Sequence, residues 1–156
     1  STFCQERKVG HVVVSVLSPC GVEPSEEEWS SNNRSIVIRL QYGDSGPSVL
    51  LPGDIEEEVE ELLVREKRLS PTTILKLSHH GSGTSTSPTF LKSLEPEVAM
   101  ASVGRWNRFH FPHPSIVEAL NKKGVSLYRT DIHGGIRLKI DLSGYLVETM
   151  SGIVWP

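Results

Sequence analysis

No stretch of this 156-residue chain approaches the roughly 20 consecutive apolar residues that a membrane-spanning helix needs. The opening residues, Ser1-Thr2-Phe3-Cys4-Gln5-Glu6-Arg7-Lys8, lack the apolar centre of a signal peptide, so the sequence as it stands is expected neither to span a membrane nor to direct its own export. Basic residues are not in excess either: the formal net charge is −3. Tight, non-specific nucleic-acid binding draws its affinity from Lys and Arg displacing counterions, so any such contact is expected to be local, near Arg105, Arg108, Lys122, Lys123 and Arg129, or to be carried by bound metal ions. Cysteine is scarce. Cys4 and Cys20 are too few for a disulfide framework and are not spaced as a zinc knuckle, and the sequence leaves open whether they pair.

What is present reads as a single globular segment, 1–156, of mixed α/β class. Hydrophobic residues make up 37% and charged residues 22%, enough apolar surface for a real core. Val12 to Leu17 is a β-branched run ended by Ser18-Pro19, and the polar stretch Gly21 to Asn33 reads as a loop. Ser35 to Tyr42 alternates apolar and polar as a half-buried strand does, with Ser48 to Leu51 as its hairpin partner. Ile55, Val59, Leu62 and Leu63 form one apolar stripe on a helix otherwise made of Glu and Arg, whose glutamates read as a solvated face. A strand from Thr73 to Leu77 precedes a polar loop, His79 to Thr86, and a short helix opened by Ser87 as N-cap and Pro88. Val98 to Val103 is a continuous apolar strand, Pro114 to Lys123 a helix stopped by Gly124, and Ser126 to Thr130, Ile136 to Asp141 and Tyr145 to Thr149 are strands. Strand–helix alternation with hairpins implies a mixed sheet flanked by helices.

Three places put metal-capable residues after strands, where loops are rigidly held yet exposed. Asp54 ends Leu51-Pro52-Gly53-Asp54; on sequence alone its simpler reading is a capping box with Glu57 at the start of the next helix. In Ser78-His79-His80-Gly81-Ser82, side chains at a strand end alternate sides, so one histidine enters a site while the other packs or donates a hydrogen bond. Gly81 and Gly83 let backbone approach a ligand closely. His113 lies between Pro112 and Pro114, which suits a positioned ligand as well as a stiff loop before a helix. His11 is read as strand surface and His133 as a turn residue.

In order, Gly53-Asp54, His79-His80-Gly81-Ser82, Ser102-Val103-Gly104, Asn107-Arg108, Pro112-His113-Pro114 and Arg129-Thr130-Asp131 resemble the C-terminal half of the metallo-β-lactamase domain of ComEC-type DNA-uptake proteins, from about Asn33 to Ile140. Asn33-Arg34-Ser35-Ile36-Val37-Ile38-Arg39-Leu40 carries the likeness almost word for word. The resemblance implies the second half of a four-layer αββα fold and a metal-dependent hydrolase, a phosphodiesterase or nuclease acting on DNA. It implies two divalent ions, zinc or manganese, with Asp54 bridging them and His79 and His80 as ligands, either of which could instead donate a proton. Ser82 and His113 would lie near the substrate phosphate. The chain departs from the family at Gly83, where a lysine is common, and at His110-Phe111, where Gly-His is common. It also lacks the His-x-His-x-Asp-His cluster that supplies most ligands in such enzymes. The segment is therefore expected to need a missing N-terminal half, to be inactive and at most weakly metal-loaded alone, and to expose an apolar sheet face that drives homodimerisation. Its expected setting is an extracytoplasmic domain of a membrane protein, with DNA as partner. The alternatives are a metal-free scaffold or DNA- or partner-binding domain of the uptake machinery, and, less in keeping with these phrases, a lactonase of the same fold.

Overall fold

The computed structural model describes residues 4–20, 29–141 and 143–150, and the backbone of 154–155. Most of the polar loop read from Gly21 to Asn33 lies outside the described residues, as does Leu142. Four antiparallel strands come first: β1 (Arg7–Val9), β2 (Val12–Ser18), β3 (Val37–Tyr42) and β4 (Ser48–Leu51). From β4 the chain changes style. Helix α1 (Glu57–Arg65), α2 (Pro88–Leu94) and α3 (Pro114–Lys122) connect β5 (Ile74–Lys76), β6 (Val98–Ala101) and β7 (Ser126–Arg129), each strand parallel to the one before. The result is a seven-stranded mixed sheet in the order β1-β2-β3-β4-β5-β6-β7. Three successive crossovers stepping in one direction put their helices on one face, since such connections share a hand. That face holds the larger core, with Leu50, Leu75 and Ala99 of the strands under Val59, Leu63, Phe90 and Leu120 of the helices.

After a single helical turn, α4 (Thr130–His133), β8 (Ile136–Asp141), β9 (Gly144–Thr149) and β10 (Val154–Trp155) form an antiparallel sheet. Leu138, Ile140 and Val147 of this second sheet pack with Val49, Ile74, Val98 and Tyr128 of the first. The burial patterns explain the sequence signals. β4 and β6 are covered on both faces and read as continuous apolar runs, whereas β8 alternates because one face meets water. The mixed-sheet α/β class is the one the alternation predicts.

Several expectations are corrected. The second sheet covers much of the face expected to be bare. What stays open among the described residues is the β1–β3 end, where Val12, Val14 and Val16 are only half-buried and Val9 is 66% exposed. Helix α1 starts at Glu57 with Glu56 as its first flanking residue and no side-chain cap, so the capping box of Asp54 with Glu57 does not form. The glutamate run is not wholly solvated, because Glu60 is 0% exposed between Val59 and Leu63. His11 sits on the β1–β2 turn, not on a strand, and His133 ends α4 with Nδ1 2.9 Å from the Arg129 amide. Cys4 and Cys20 are joined by a disulfide that closes the chain around β1 and β2.

Candidate active site at the strand ends

Because β4, β5, β6 and β7 are parallel neighbours, the residues that follow them line up along one edge of the sheet. Gly53, at φ +66, passes so close to Ser35 that a Cβ there would stand 2.7 Å from the serine Cβ. This lets the Asp54 amide donate to Ser35 Oγ at 3.0 Å and turns the carboxylate, 42% exposed, toward the end of β5.

The residues after β5 form a short 3-10 turn, Ser78–Gly81, with three successive left-handed conformations: His79 at φ 44, His80 at φ 59 and Gly81 at φ 84. A non-glycine residue held there costs about 1–3 kcal/mol, so neighbouring structure must impose it. It does: the His79 amide donates to Gly53 O at 3.1 Å, and the His113 amide to Gly81 O at 2.7 Å. Below the turn, the buried carboxylate of Glu60 accepts from the amides of Thr86 at 2.6 Å and Ser87 at 2.8 Å, bracing the loop that returns to α2. Desolvation pushes the Glu60 carboxyl above the usual range, and the hydrogen bonds from Ser87 and Thr86 pull back against it.

The turn splays the two imidazoles apart. His80 Nδ1 lies 2.7 Å from Ser102 O, and since a carbonyl only accepts, Nδ1 carries the proton. The other ring nitrogen, Nε2, lies 3.9 Å from Asp54 Oδ1, beyond hydrogen-bond reach. In the neutral ring these are two acceptors facing one another, an arrangement a cation would stabilise. A backbone acceptor that fixes the tautomer is the usual outer support of a metal-ligating histidine. His79 points elsewhere: its Nδ1 is 3.5 Å from Glu56 Oε1, and its ring meets Phe111 edge-on with centroids 5.8 Å apart. Glu56 is in turn held by Thr84 Oγ1 at 2.7 Å and Ser30 Oγ at 3.3 Å. Lys76, at the end of β5, has its pKa lowered by burial, with the Asp54 charge acting in opposition.

Of the residues singled out in the sequence, Asp54 and His80 face one another and His79 adjoins them. Ser82 is buried, with its hydroxyl 3.0 Å from Thr84 Oγ1. His113 is exposed and caps α3, its Nδ1 2.7 Å from Ser115 Oγ. Gly83 runs beside that ring, where a Cβ would stand within 3.3 Å. Among the described residues no third His, Cys, Asp or Glu joins the pair into a metal-holding cluster, so the segment brings two converging donors where a zinc ion takes about four. Sequence reasoning missed Glu56, Glu60 and the Ser102 carbonyl. No local pattern marks them, because each acts on a residue far away in the chain. It also missed a cleft of about 440 Å³ beside the histidines, lined by His79, His80, Val103, Asn107, Phe109 and Phe111.

The arrangement defines an α/β protein whose polar groups gather at the carboxyl edge of parallel strands. No protein-family model matches the chain. It is 36% identical over 124 residues to ComE operon protein 3 of Bacillus subtilis, covering 80% of this chain and 15% of that protein. It is also 36% identical over 140 residues to Recombination protein 2 of Haemophilus influenzae, covering 88% of this chain and 17% of the relative. Competence protein ComA of Neisseria gonorrhoeae is 34% identical over 131 residues, covering 83% and 19% respectively. The chain belongs to this competence family of ComEC-like proteins and spans less than a fifth of the length of these curated relatives. No helix among the described residues is long and apolar enough to cross a membrane.

Proposed function

We propose that this chain serves DNA uptake by contributing one side of a divalent-metal phosphodiesterase site, within an extracytoplasmic part of a longer membrane protein. The observation that carries the reading is His80, pinned through Nδ1 to the Ser102 carbonyl with Nε2 3.9 Å from Asp54 Oδ1. The donor set fits zinc or manganese, and a bound ion would supply Lewis-acid stabilisation to phosphoryl oxygens. Asp54 and His80 are the residues that would hold it. His79, backed by Glu56 and Phe111, orients a second imidazole at the same edge. Lys76 adds a cation close to Asp54. The half-buried valines of β2 and the exposed Val9 give the complementary half of the domain an apolar surface to cover.

Metal content, measured by elemental analysis and by zinc and manganese titration, tests this on the chain and on a longer form extended through the upstream residues of the same protein. The expected result is weak binding to the chain, near-complete loading of the extended form, and at least a tenfold loss of affinity with Asp54→Ala and with His80→Ala. An extended form that stays metal-free at micromolar zinc and manganese would overturn the reading and leave a binding scaffold in its place.

A further inference from the structure

The loop between β6 and α3 is built unlike the rest of the surface. From Val98 to Val117 the sequence holds no Asp or Glu, although the chain as a whole carries a net charge of −3. Arg105 and Arg108 are exposed within it, Trp106 is 91% exposed and Phe109 60%. Single exposed apolar residues are ordinary, but two large exposed rings, each following an arginine, beside a polar site are not. The loop is also cross-braced by its own side chains. Asn107 Nδ2 donates to Gly104 O at 3.1 Å and to Phe111 O at 3.0 Å, and its Oδ1 accepts from the Phe111 amide at 2.7 Å. Phe109 and Phe111 stack with centroids 5.5 Å apart, and the Arg108 guanidinium lies 4.9 Å over Phe109.

From these features we infer that the loop is a stacking platform for single-stranded nucleic acid, leading its backbone toward Asp54 and His80. The cleft of about 440 Å³ lies within the range that takes a flat, base-sized group, and His79 and His80 are themselves among its lining residues. Ring faces accept any base, and arginines beside them pair with phosphates or stack. The amide of Asn107 is committed inside the loop and the Ser102 carbonyl to His80, so these groups are not free to read a base edge. Binding is therefore sequence-tolerant. A duplex keeps its bases stacked internally and would meet only the arginines, too few for strong phosphate binding. An anionic lipid surface also attracts Trp, Phe and Arg, but Phe109 and Phe111 line a cleft shared with the polar side chains of His79, His80 and Asn107 instead of forming an apolar tip.

The inference rests on the phosphodiesterase reading for what the strand is brought to, but its test avoids metal altogether. Fluorescence anisotropy of the chain in excess chelator would compare a labelled oligothymidylate of about twelve residues with a matched duplex. The expected result is at least tenfold tighter binding of the single strand, weakened about tenfold by Trp106→Ala and by Phe109→Ala, with circular dichroism unchanged. Equal affinity for duplex, indifference to both ring replacements, or binding to phosphatidylglycerol vesicles in place of the oligonucleotide would overturn it. Because no ion takes part, loss of the metal reading leaves this result standing, and the reverse holds as well.

Discussion

Replacing Glu60 by alanine removes a carboxylate that is 0% exposed and that satisfies two backbone amides, those of Thr86 and Ser87. Each buried N–H left without a partner costs about 1–3 kcal/mol. The truncated side chain adds a cavity beneath the loop, while relief from burying an acid acts the other way. The net expectation for Glu60→Ala is a loss of about 2–5 kcal/mol, a large share of the 5–15 kcal/mol that typically holds a domain together. Glu60→Gln keeps the volume and one acceptor oxygen but sets an NH2 group against the second amide, so its loss is smaller, about 1–3 kcal/mol. Urea denaturation gives both values. The pH dependence checks the cause. Desolvation raises the Glu60 carboxyl pKa in the fold, so the folded state holds that proton more tightly than the unfolded chain does. Its contribution is fully present below the usual glutamate range and is lost as pH rises through the raised folded value. The stability gap between wild type and Glu60→Gln should therefore narrow as pH increases through that window and then level off. A gap that widens would mean that the hydrogen bonds outweigh desolvation at Glu60, and a Glu60→Ala protein as stable as wild type would refute the brace.

The Cys4–Cys20 bond spans a sequence separation of 16, and a loop of that size is stabilised by about 3 kcal/mol through restriction of the unfolded chain. Denaturation with and without reductant should show a loss of that order, without change at Asp54 or His80. Gly81→Ala puts a Cβ 2.7 Å from the Pro112 Cβ at φ +84, and should destabilise by at least about 2 kcal/mol and weaken the proposed zinc binding by displacing His80. Gly10→Ala is the control. It shares a positive φ of +60 but meets nothing within 4 Å, so it should lose only about 1 kcal/mol and leave metal binding unchanged.

Much of the secondary structure is legible in the sequence because its signals are local. The unbroken apolar runs of β4 and β6, the alternation in β8, and the Ser87-Pro88 and His113-Pro114 helix starts each depend on a few adjacent residues. The strand–helix order implied the mixed sheet, and the His79-His80-Gly81-Ser82 phrase pointed to the family that the relatives establish. Local signals also misled: Asp54 with Glu57 has the spacing of a capping box, and Glu60 is only one acid among several on an exposed-looking helix. The tertiary structure alone decided which groups meet. Parallel registry of β4, β5 and β6 brings Asp54, His80 and Ser102 to one edge, although Asp54 and Ser102 come from different loops. Left-handed backbone at His79 and His80 sends one ring to Asp54 and the other to Glu56, a separation that two adjacent identical letters cannot express. Pattern reports the period of an element and its ends; side-chain encounters depend on how neighbouring strands align, and that is set only when the whole sheet assembles.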